Sequence, residues 1–324
     1  MEGAVMKDHI KFKLFAGNSN LPLAREIAAR LDVPLGDMEA GRFMDGEINV
    51  TINETVRGCD VFVIQSTSNP VNDHLMEFLV ICDALKRASA GSITAVVPYF
   101  GYARQDRKAK SRDPISAKLV ANLMTVAGVD RVLTMDLHTP QLEGFFDIPV
   151  NHLFGNPIFA KHFKDKNIDP AGYVAVSPDI GSVNRVRKFA QILDMPIAII
   201  DKRRTAANYS EVLHVVGQVK GKKIIMIDDI VDTAGTLVNT ATVMKEKGAL
   251  EIYSCCTHGV LSGNAISRIT NSCIDGMVML NTICMDAVKD NPKFTVLSVA
   301  DIFAQAIESI FENTSINTLY TQIY

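Results

Sequence analysis

The alternation of short apolar runs with amphipathic stretches is the feature that most restricts the fold of this chain. Runs such as Ile93–Pro98 and Lys222–Ile227 have the length and the β-branched content of buried strands, whereas Asp73–Ala88 carries apolar residues at helical spacing. Because the two kinds of segment alternate almost throughout, the sequence predicts an α/β fold in which mostly parallel sheets are flanked by helices.

Length and charge limit the classes of protein to consider. A chain of 324 residues suggests two domains, since a domain holds roughly 100–200 residues. The 33 lysine and arginine residues against 36 aspartate and glutamate residues leave a net charge of −3. This balance provides no basic field for nucleic acid or anionic lipid, so any bound anion must be held by a local site.

Neither a secretory signal nor a membrane span is expected. Residues 1–8 lack a basic start followed by an apolar core, and no apolar run approaches the ~18 residues of a span. We therefore expect a cytoplasmic protein without a membrane or nucleic-acid partner. The 6 cysteines are scattered with no C-x-x-C pair, which predicts buried free thiols rather than a zinc or redox site.

The run at 222–236 carries the strongest chemical signal. An apolar strand leads to the adjacent carboxylates Asp228 and Asp229, and a loop of small and hydroxyl residues, including Thr233 and Thr236, then opens a helix. The N–H groups at such a helix start bind phosphate, and the carboxylates can accept hydrogen bonds from sugar hydroxyls. The run predicts a site for a phosphorylated sugar; a capped helix after a buried strand is the alternative.

Two further segments follow predicted strands, where ligands bind in open α/β sheets. In the first segment, Arg104 and Lys108 can hold a polyphosphate, and Gln105 can form hydrogen bonds with the edge of a base. The alternative for this segment is a basic loop that only faces solvent. The second, Asp136-Leu137-His138, offers a carboxylate and an imidazole for Mg²⁺, with a structural histidine as the alternative.

The basic stretch Asp201-Lys202-Arg203-Arg204 follows another predicted strand. We interpret it as a mobile catalytic loop whose cations close over phosphates and stabilise developing charge. The alternative is a hairpin turn that bears surface charge.

Together these segments resemble the class I ribose-phosphate pyrophosphokinases from about Lys13 to Tyr320. The motifs occur in family order: G-R-F-M-D-G-E at 41–47, Y-F-G-Y-A-R-Q-D-R-K at 99–108, D-L-H at 136–138, G-F-F-D at 144–147, V-S-P-D at 176–179, D-K-R-R at 201–204 and D-D-I-V-D-T-A-G-T at 228–236.

The resemblance implies transfer of the diphosphoryl group of Mg·ATP to the anomeric hydroxyl of ribose 5-phosphate, giving phosphoribosyl pyrophosphate and AMP. It also implies a homo-oligomer, by resemblance a hexamer, with the ATP site shared between subunits and Mg²⁺ as the cofactor. The residues it assigns are Phe43, Asp45, Gly46, Glu47, Arg104, Gln105 and Lys108 for ATP; Asp228, Asp229, Asp232, Thr233, Ala234, Gly235 and Thr236 for ribose 5-phosphate; His138 and Asp179 for the metal; and Lys202 and Arg204 for catalysis.

Two similar phosphoribosyltransferase-like domains are implied. We expect an ATP-side domain at 1–154, against which about 306–324 packs, and a ribose-5-phosphate domain at 155–305. A phosphoribosyltransferase is one alternative, although it would not need the nucleotide segments around Phe43 and Arg104. A non-catalytic regulatory relative is another, although such a protein can lose the loop cations that are retained here.

The chain departs from the usual family pattern at several positions. Glu143, Asn151 and Asn317 replace residues of the neighbourhood in which the family binds regulatory phosphate and ADP. Ser182 stands where a second glycine is common, and Thr205 where a proline is common. The serine adds a Cβ to a predicted phosphate loop.

Overall fold

The computed structural model describes residues 12–203 and 212–320. The strands are β1 (Phe12–Ala16), β2 (Met38–Arg42), β3 (Ile48–Ile52), β4 (Asp60–Ile64), β5 (Ser92–Val97), β6 (Arg131–Met135), β7 (Val150–Leu153), β8 (Tyr173–Ser177), β9 (Ile197–Arg203), β10 (Val212–Val216), β11 (Lys223–Val231), β12 (Ile252–Gly259), β13 (Gly276–Leu280) and β14 (Phe294–Leu297).

The helices fill most of the intervals between strands. They are α1 (Leu21–Leu31), α2 (Val71–Arg87), α3 (Ser116–Ala127), α4 (Asn156–Asp165), α5 (Val183–Leu193), α6 (Gly235–Glu246), α7 (Ala265–Thr270) and α8 (Ala300–Phe311). Short 3₁₀ turns include Pro140–Phe145. Every helix among the described residues is too short or too polar to cross a lipid bilayer.

The chain forms two compact units. Among the described residues, the first comprises 12–152 and 300–316, and the second comprises 153–203, 212–299 and 317–320. The first unit includes α8, which packs on α1.

The first unit is built on a 5-stranded sheet in the order β1-β4-β5-β6-β7, in which β1, β4, β5 and β6 are parallel. Its core joins apolar residues of the strands to those of α2 and α3, such as Phe78 and Met124, which are fully buried. Strands β2 and β3 form a separate antiparallel hairpin. The ends of β5 and β6 lead to Arg104 and Asp136, so this edge of the sheet carries the predicted nucleotide segments.

The second unit contains a 7-stranded sheet in the order β10-β9-β8-β11-β12-β13-β14. All its strands are parallel except β10, which pairs antiparallel with β9 at one edge. The central strand β11 therefore delivers Asp228 and Asp229 to the carboxyl edge of a parallel sheet. The predicted α/β class with mostly parallel sheets and flanking helices is confirmed.

Two strands are longer than the sequence predicts. Strand β11 continues through Asp228 and Asp229 to Val231 because its ladder with β12 extends to the pair Val231–Gly259. Strand β9 continues to Arg203 because β10 pairs with it, with Lys202 opposite Leu213. Residues 201–203, expected to begin a loop, thus belong to a strand of a β-hairpin, which agrees locally with the hairpin that the sequence left as the alternative.

Candidate active site

In the second unit, a cluster of carboxylates lies where β11 ends. Asp229 is buried, and its Oδ1 forms an ion pair with Arg185 Nη1 of α5 at 3.0 Å. Asp228 Oδ1 accepts hydrogen bonds from the Asp229 N–H at 3.0 Å and from Ser182 Oγ at 3.2 Å. The Ser182 N–H donates to Asp179 Oδ1 at 2.9 Å, so Ser182 links the two carboxylates.

This crowding changes the acidity of one carboxyl group. Burial, together with the neighbouring charge of Asp229, raises the pKa of Asp228 to about 8; Asp179 contributes in the same direction and Arg185 opposes it. Asp228 is thus poised to hold a proton near neutral pH. Arg185 and the linking role of Ser182 had not been predicted, because they become neighbours of β11 only when α5 packs beside it.

The loop after the cluster has the form that the sequence predicts for a phosphate site. Ala234 has a left-handed conformation (φ 59°), which turns the chain into α6 at Gly235. Arg268 Nη1 donates to the Thr233 carbonyl at 2.6 Å and holds the loop from α7. Thr233 and Thr236 are exposed.

The start of α6 has N–H groups that can bind an anion. In the part of the chain that the structure describes, no side chain forms a capping hydrogen bond at the start of α6. The first N–H groups of an α-helix have no partner within the helix, so they offer themselves to an oxyanion.

The raised pKa of Asp228 predicts a pH dependence of stability. The ordinary value is 3.8, so between about pH 4 and pH 8 the folded protein binds a proton that the unfolded chain has lost. The contribution of Asp228 to the free energy of unfolding therefore decreases as the pH rises from about 4 to about 8. We expect Asp228→Asn to flatten the decline in Tm and to raise Tm relative to the parent protein at pH 8.

The matched control for this prediction is Asp147→Asn. Asp147 is 77% exposed and pairs with Lys118 on the surface of the first unit. Its removal should leave the slope of Tm against pH unchanged. Parallel Tm profiles for the parent protein and Asp228→Asn would contradict the assignment.

In the first unit, the β2–β3 hairpin presents the predicted adenine-side residues at an exposed tip. The Phe43 N–H donates to the Glu47 carbonyl at 2.8 Å, and the Glu47 N–H donates to Asp45 Oδ1 at 3.1 Å. Gly46 has φ 95°, which a glycine adopts without strain. Phe43 is 55% exposed and is therefore available to stack on a ligand.

The loop after β5 carries the remaining predicted ATP residues. Arg104, Gln105 and Lys108 are all exposed. Gln105 Oε1 accepts a hydrogen bond from Ser116 Oγ, and its backbone carbonyl accepts from the Ala117 N–H at 3.2 Å, so Gln105 is anchored to the start of α3.

The adjacent Asp106 connects this loop to the segment after β6. Its Oδ2 accepts hydrogen bonds from Thr139 Oγ1 at 2.8 Å and from Gln141 Nε2 at 3.0 Å. Asp106 was missing from the predicted site; the acidic residue between Gln105 and the following basic residues was the available signal.

The predicted catalytic and metal residues are described to different extents. Lys202 lies in β9, where only its backbone is described, and Arg204 lies outside the described residues. His138 belongs to the first unit and Asp179 to the second. Within residues 12–203 and 212–320, no three His, Cys, Asp or Glu side chains form a cluster suited to a metal ion.

Residues 12–128 match the family model described as the N-terminal domain of ribose phosphate pyrophosphokinase, and residues 204–321 match the one described as the phosphoribosyl synthetase-associated domain. The chain belongs to the ribose-phosphate pyrophosphokinase family. The family predicted from the sequence motifs is therefore confirmed, as is the class of enzyme. The phosphoribosyltransferase alternative is set aside.

Known ribose-phosphate pyrophosphokinases match over the full length. The chain is 59% identical to that of Clostridium perfringens, covering 97% of this chain and 99% of the relative. It is 58% identical to that of Caldanaerobacter subterraneus, covering 95% and 98%. The crystal structure of phosphoribosylpyrophosphate synthetase from Mycobacterium smegmatis superposes with a TM-score of 0.88 at 42% identity, over 93% of this chain and 99% of that one.

Proposed function

We propose that the protein transfers the diphosphoryl group of Mg·ATP to the anomeric hydroxyl of ribose 5-phosphate, producing phosphoribosyl pyrophosphate and AMP. The observation that carries this proposal is the start of α6, where the left-handed Ala234 opens a helix next to the carboxylates of β11. A helix start binds the phosphate, and neighbouring carboxylates accept from sugar hydroxyls, so one loop recognises both ends of a sugar phosphate.

Ribose 5-phosphate is assigned to the segment Asp228–Thr236. The N–H groups of Gly235 and Thr236 and the hydroxyls of Thr233 and Thr236 would hold the 5-phosphate, while Asp232 and the carboxylates of Asp228 and Asp229 face the sugar. Arg268 supports this arrangement because its bond to the Thr233 carbonyl fixes the loop without using the N–H groups.

ATP is assigned to the first unit. The exposed ring of Phe43 suits stacking on adenine, with Asp45, Gly46 and Glu47 shaping the hairpin tip beside it. The exposed Arg104 and Lys108 suit the triphosphate, and Gln105 is held by Ser116. By resemblance, the hairpin of one subunit and the Arg104 loop of another form each ATP site, which requires a homo-oligomer.

Mg²⁺ fits the donors that this chain provides. Protein Mg²⁺ is commonly held by one or two carboxylates plus substrate phosphates, and not by a closed cage of side chains. Asp179 supplies a carboxylate whose Oδ1 is oriented by the Ser182 N–H, and His138 is assigned beside the nucleotide by resemblance. When bound, the ion would neutralise charge on the transferred phosphoryl groups. Lys202 and Arg204 are also assigned to neutralising the charge on the transferred phosphoryl groups.

The test is a product assay with purified protein, Mg²⁺ and ATP, with and without ribose 5-phosphate. AMP that appears only when ribose 5-phosphate is present supports the proposal. ADP as the product would indicate an ordinary kinase, and absence of turnover would favour the regulatory relative; both results contradict the proposal. Parallel reactions with and without inorganic phosphate show whether Glu143, Asn151 and Asn317 have changed the regulation.

Arg104→Gln should raise the KM for ATP without abolishing folding. A hydrogen bond to a charged group contributes roughly 1.5–3 kcal/mol, which corresponds to about a 10- to 100-fold loss. The KM for ribose 5-phosphate should stay unchanged, because the assigned sugar loop lies in the other unit. Arg107→Gln is the matched control, since it removes the same charge from the same loop; an equal effect of both changes would point to a general electrostatic field.

A further inference from the structure

The imidazole of His152 bridges two segments beside the end of β6. His152 lies in β7, and its side chain is only 8% exposed. Its Nε2 accepts a hydrogen bond from the Leu137 N–H at 2.9 Å, and its Nδ1 lies 2.6 Å from Glu143 Oε1.

These contacts define the tautomer of the ring. A backbone N–H can only donate, so Nε2 of His152 must be the unprotonated acceptor. The proton of the neutral ring then lies on Nδ1, from which it is donated to the Glu143 carboxylate. Glu143 thereby fixes both the tautomer and the orientation of the imidazole, as a carboxylate does for a metal-bound histidine.

The contacted N–H belongs to a constrained turn. Asp136 has a left-handed conformation (φ 38°), which is uncommon for a residue other than glycine, and it is buried. Leu137 is 4% exposed and packs in the core of the first unit. His138 follows directly. A turn of this kind persists only where its surroundings hold it, and the hydrogen bond to His152 is one such restraint.

We infer that His152 is a positioning residue, which, oriented by Glu143, holds the Asp136-Leu137-His138 turn in the geometry that the reaction requires. His152 itself does not touch the reacting groups; it acts through the Leu137 N–H on the placement of His138. This inference rests on the proposed function for its effect on turnover, whereas the restraint on the turn does not depend on that function.

The first readout is the separation of kcat from KM. His152→Leu removes the acceptor, and we expect kcat to fall about 10- to 100-fold while the KM for ribose 5-phosphate stays within about twofold. His152→Gln retains an acceptor at the end of a side chain of similar reach and should recover most of kcat. Glu143→Gln keeps an oxygen for Nδ1–H and should be nearly normal, whereas Glu143→Leu should be impaired.

The matched control is Asp147→Asn. Asp147 lies on the same connection between the 3₁₀ turn and β7, but its carboxylate is 77% exposed and pairs with Lys118. This change should leave kcat and both KM values unaltered. If His152→Leu does not fold, the Glu143→Leu and Glu143→Gln pair tests the same restraint with His152 in place.

The second readout is independent of activity. The Leu137 amide hydrogen can exchange with solvent only when its hydrogen bond to the buried His152 acceptor opens. The exchange rate at Leu137 should therefore be at least about tenfold higher in His152→Leu than in the parent protein. In His152→Gln it should be close to the parent rate. Normal kcat and unchanged Leu137 exchange in folded His152→Leu would overturn the inference. An inactive parent protein would overturn the proposed function alone, since the exchange rates would still decide the restraint.

Discussion

Replacement of Lys202 by alanine is expected to lower kcat by about 10³-fold or more, the scale of loss for a cation that stabilises phosphoryl-transfer charge. The charge on the transferred group spreads mainly in the transition state, so the contact strengthens there and contributes little to binding of the substrates. The KM values for ATP and ribose 5-phosphate should therefore change by less than about threefold. Steady-state kinetics on the purified variant provide the measurement.

A lysine outside the site provides the control for this experiment. Lys161 is 74% exposed and pairs with Asp165 within α4. Lys161→Ala removes the same charge from the chain and should leave kcat within about twofold, because exposed pairs contribute little. A Lys202→Ala variant with near-normal turnover would show that the assignment of this strand to catalysis is wrong.

Arg185→Met is expected to destabilise the second unit by about 3–5 kcal/mol, the usual cost of removing one partner from a buried ion pair. Asp229 would keep a charge in a site where its side chain is 7% exposed, next to Asp228. The expected observation is a large decrease in Tm and an increase in the KM for ribose 5-phosphate, since Asp229 belongs to the proposed sugar site.

Two further variants separate the charge effect from loss of packing. Arg187→Met alters an exposed arginine of the same helix and should change stability by less than about 0.5 kcal/mol. Adding Asp229→Leu to Arg185→Met removes the orphaned carboxylate and should recover much of the lost stability, although not the activity. A double variant no more stable than Arg185→Met would indicate that packing, and not charge, dominates.

Local patterns predicted much of the fold. The helix predicted at Asp73–Ala88 is α2 (Val71–Arg87), and the strand predicted at Ile93–Pro98 is β5 (Ser92–Val97), so both were predicted to within two residues at each end. Both elements could be predicted because the spacing of their apolar residues, and the residues at which they begin and end, are contained within one short segment of sequence. The extension of β9 to Arg203 was not predicted, because it depends on pairing with the next strand, β10, which the sequence analysis did not identify as a strand.

The residues of the candidate site also divide into those that the local sequence predicts and those that only the folded structure brings together. The loop at Asp228–Thr236 was recognisable because strand, carboxylates, hydroxyls and helix start are consecutive. Arg185 and His152 were not recognisable, since each acquires its partner through tertiary packing: Arg185 reaches Asp229 from α5, and His152 reaches the Leu137 N–H from β7. Neither residue type, read alone, distinguishes such a role from an ordinary surface or core position.

The bonds to Asp106 have an evolutionary consequence. One carboxylate oxygen serves two donors, Thr139 and Gln141, so a lineage that loses either donor still has the other linking the two segments. Loss of Asp106 would release both at once. Either Thr139 or Gln141 can therefore be substituted alone without separating the two segments, whereas Asp106 is constrained by both bonds. A mutant library designed to change nucleotide specificity should vary the neighbours of Asp106 and keep the aspartate itself.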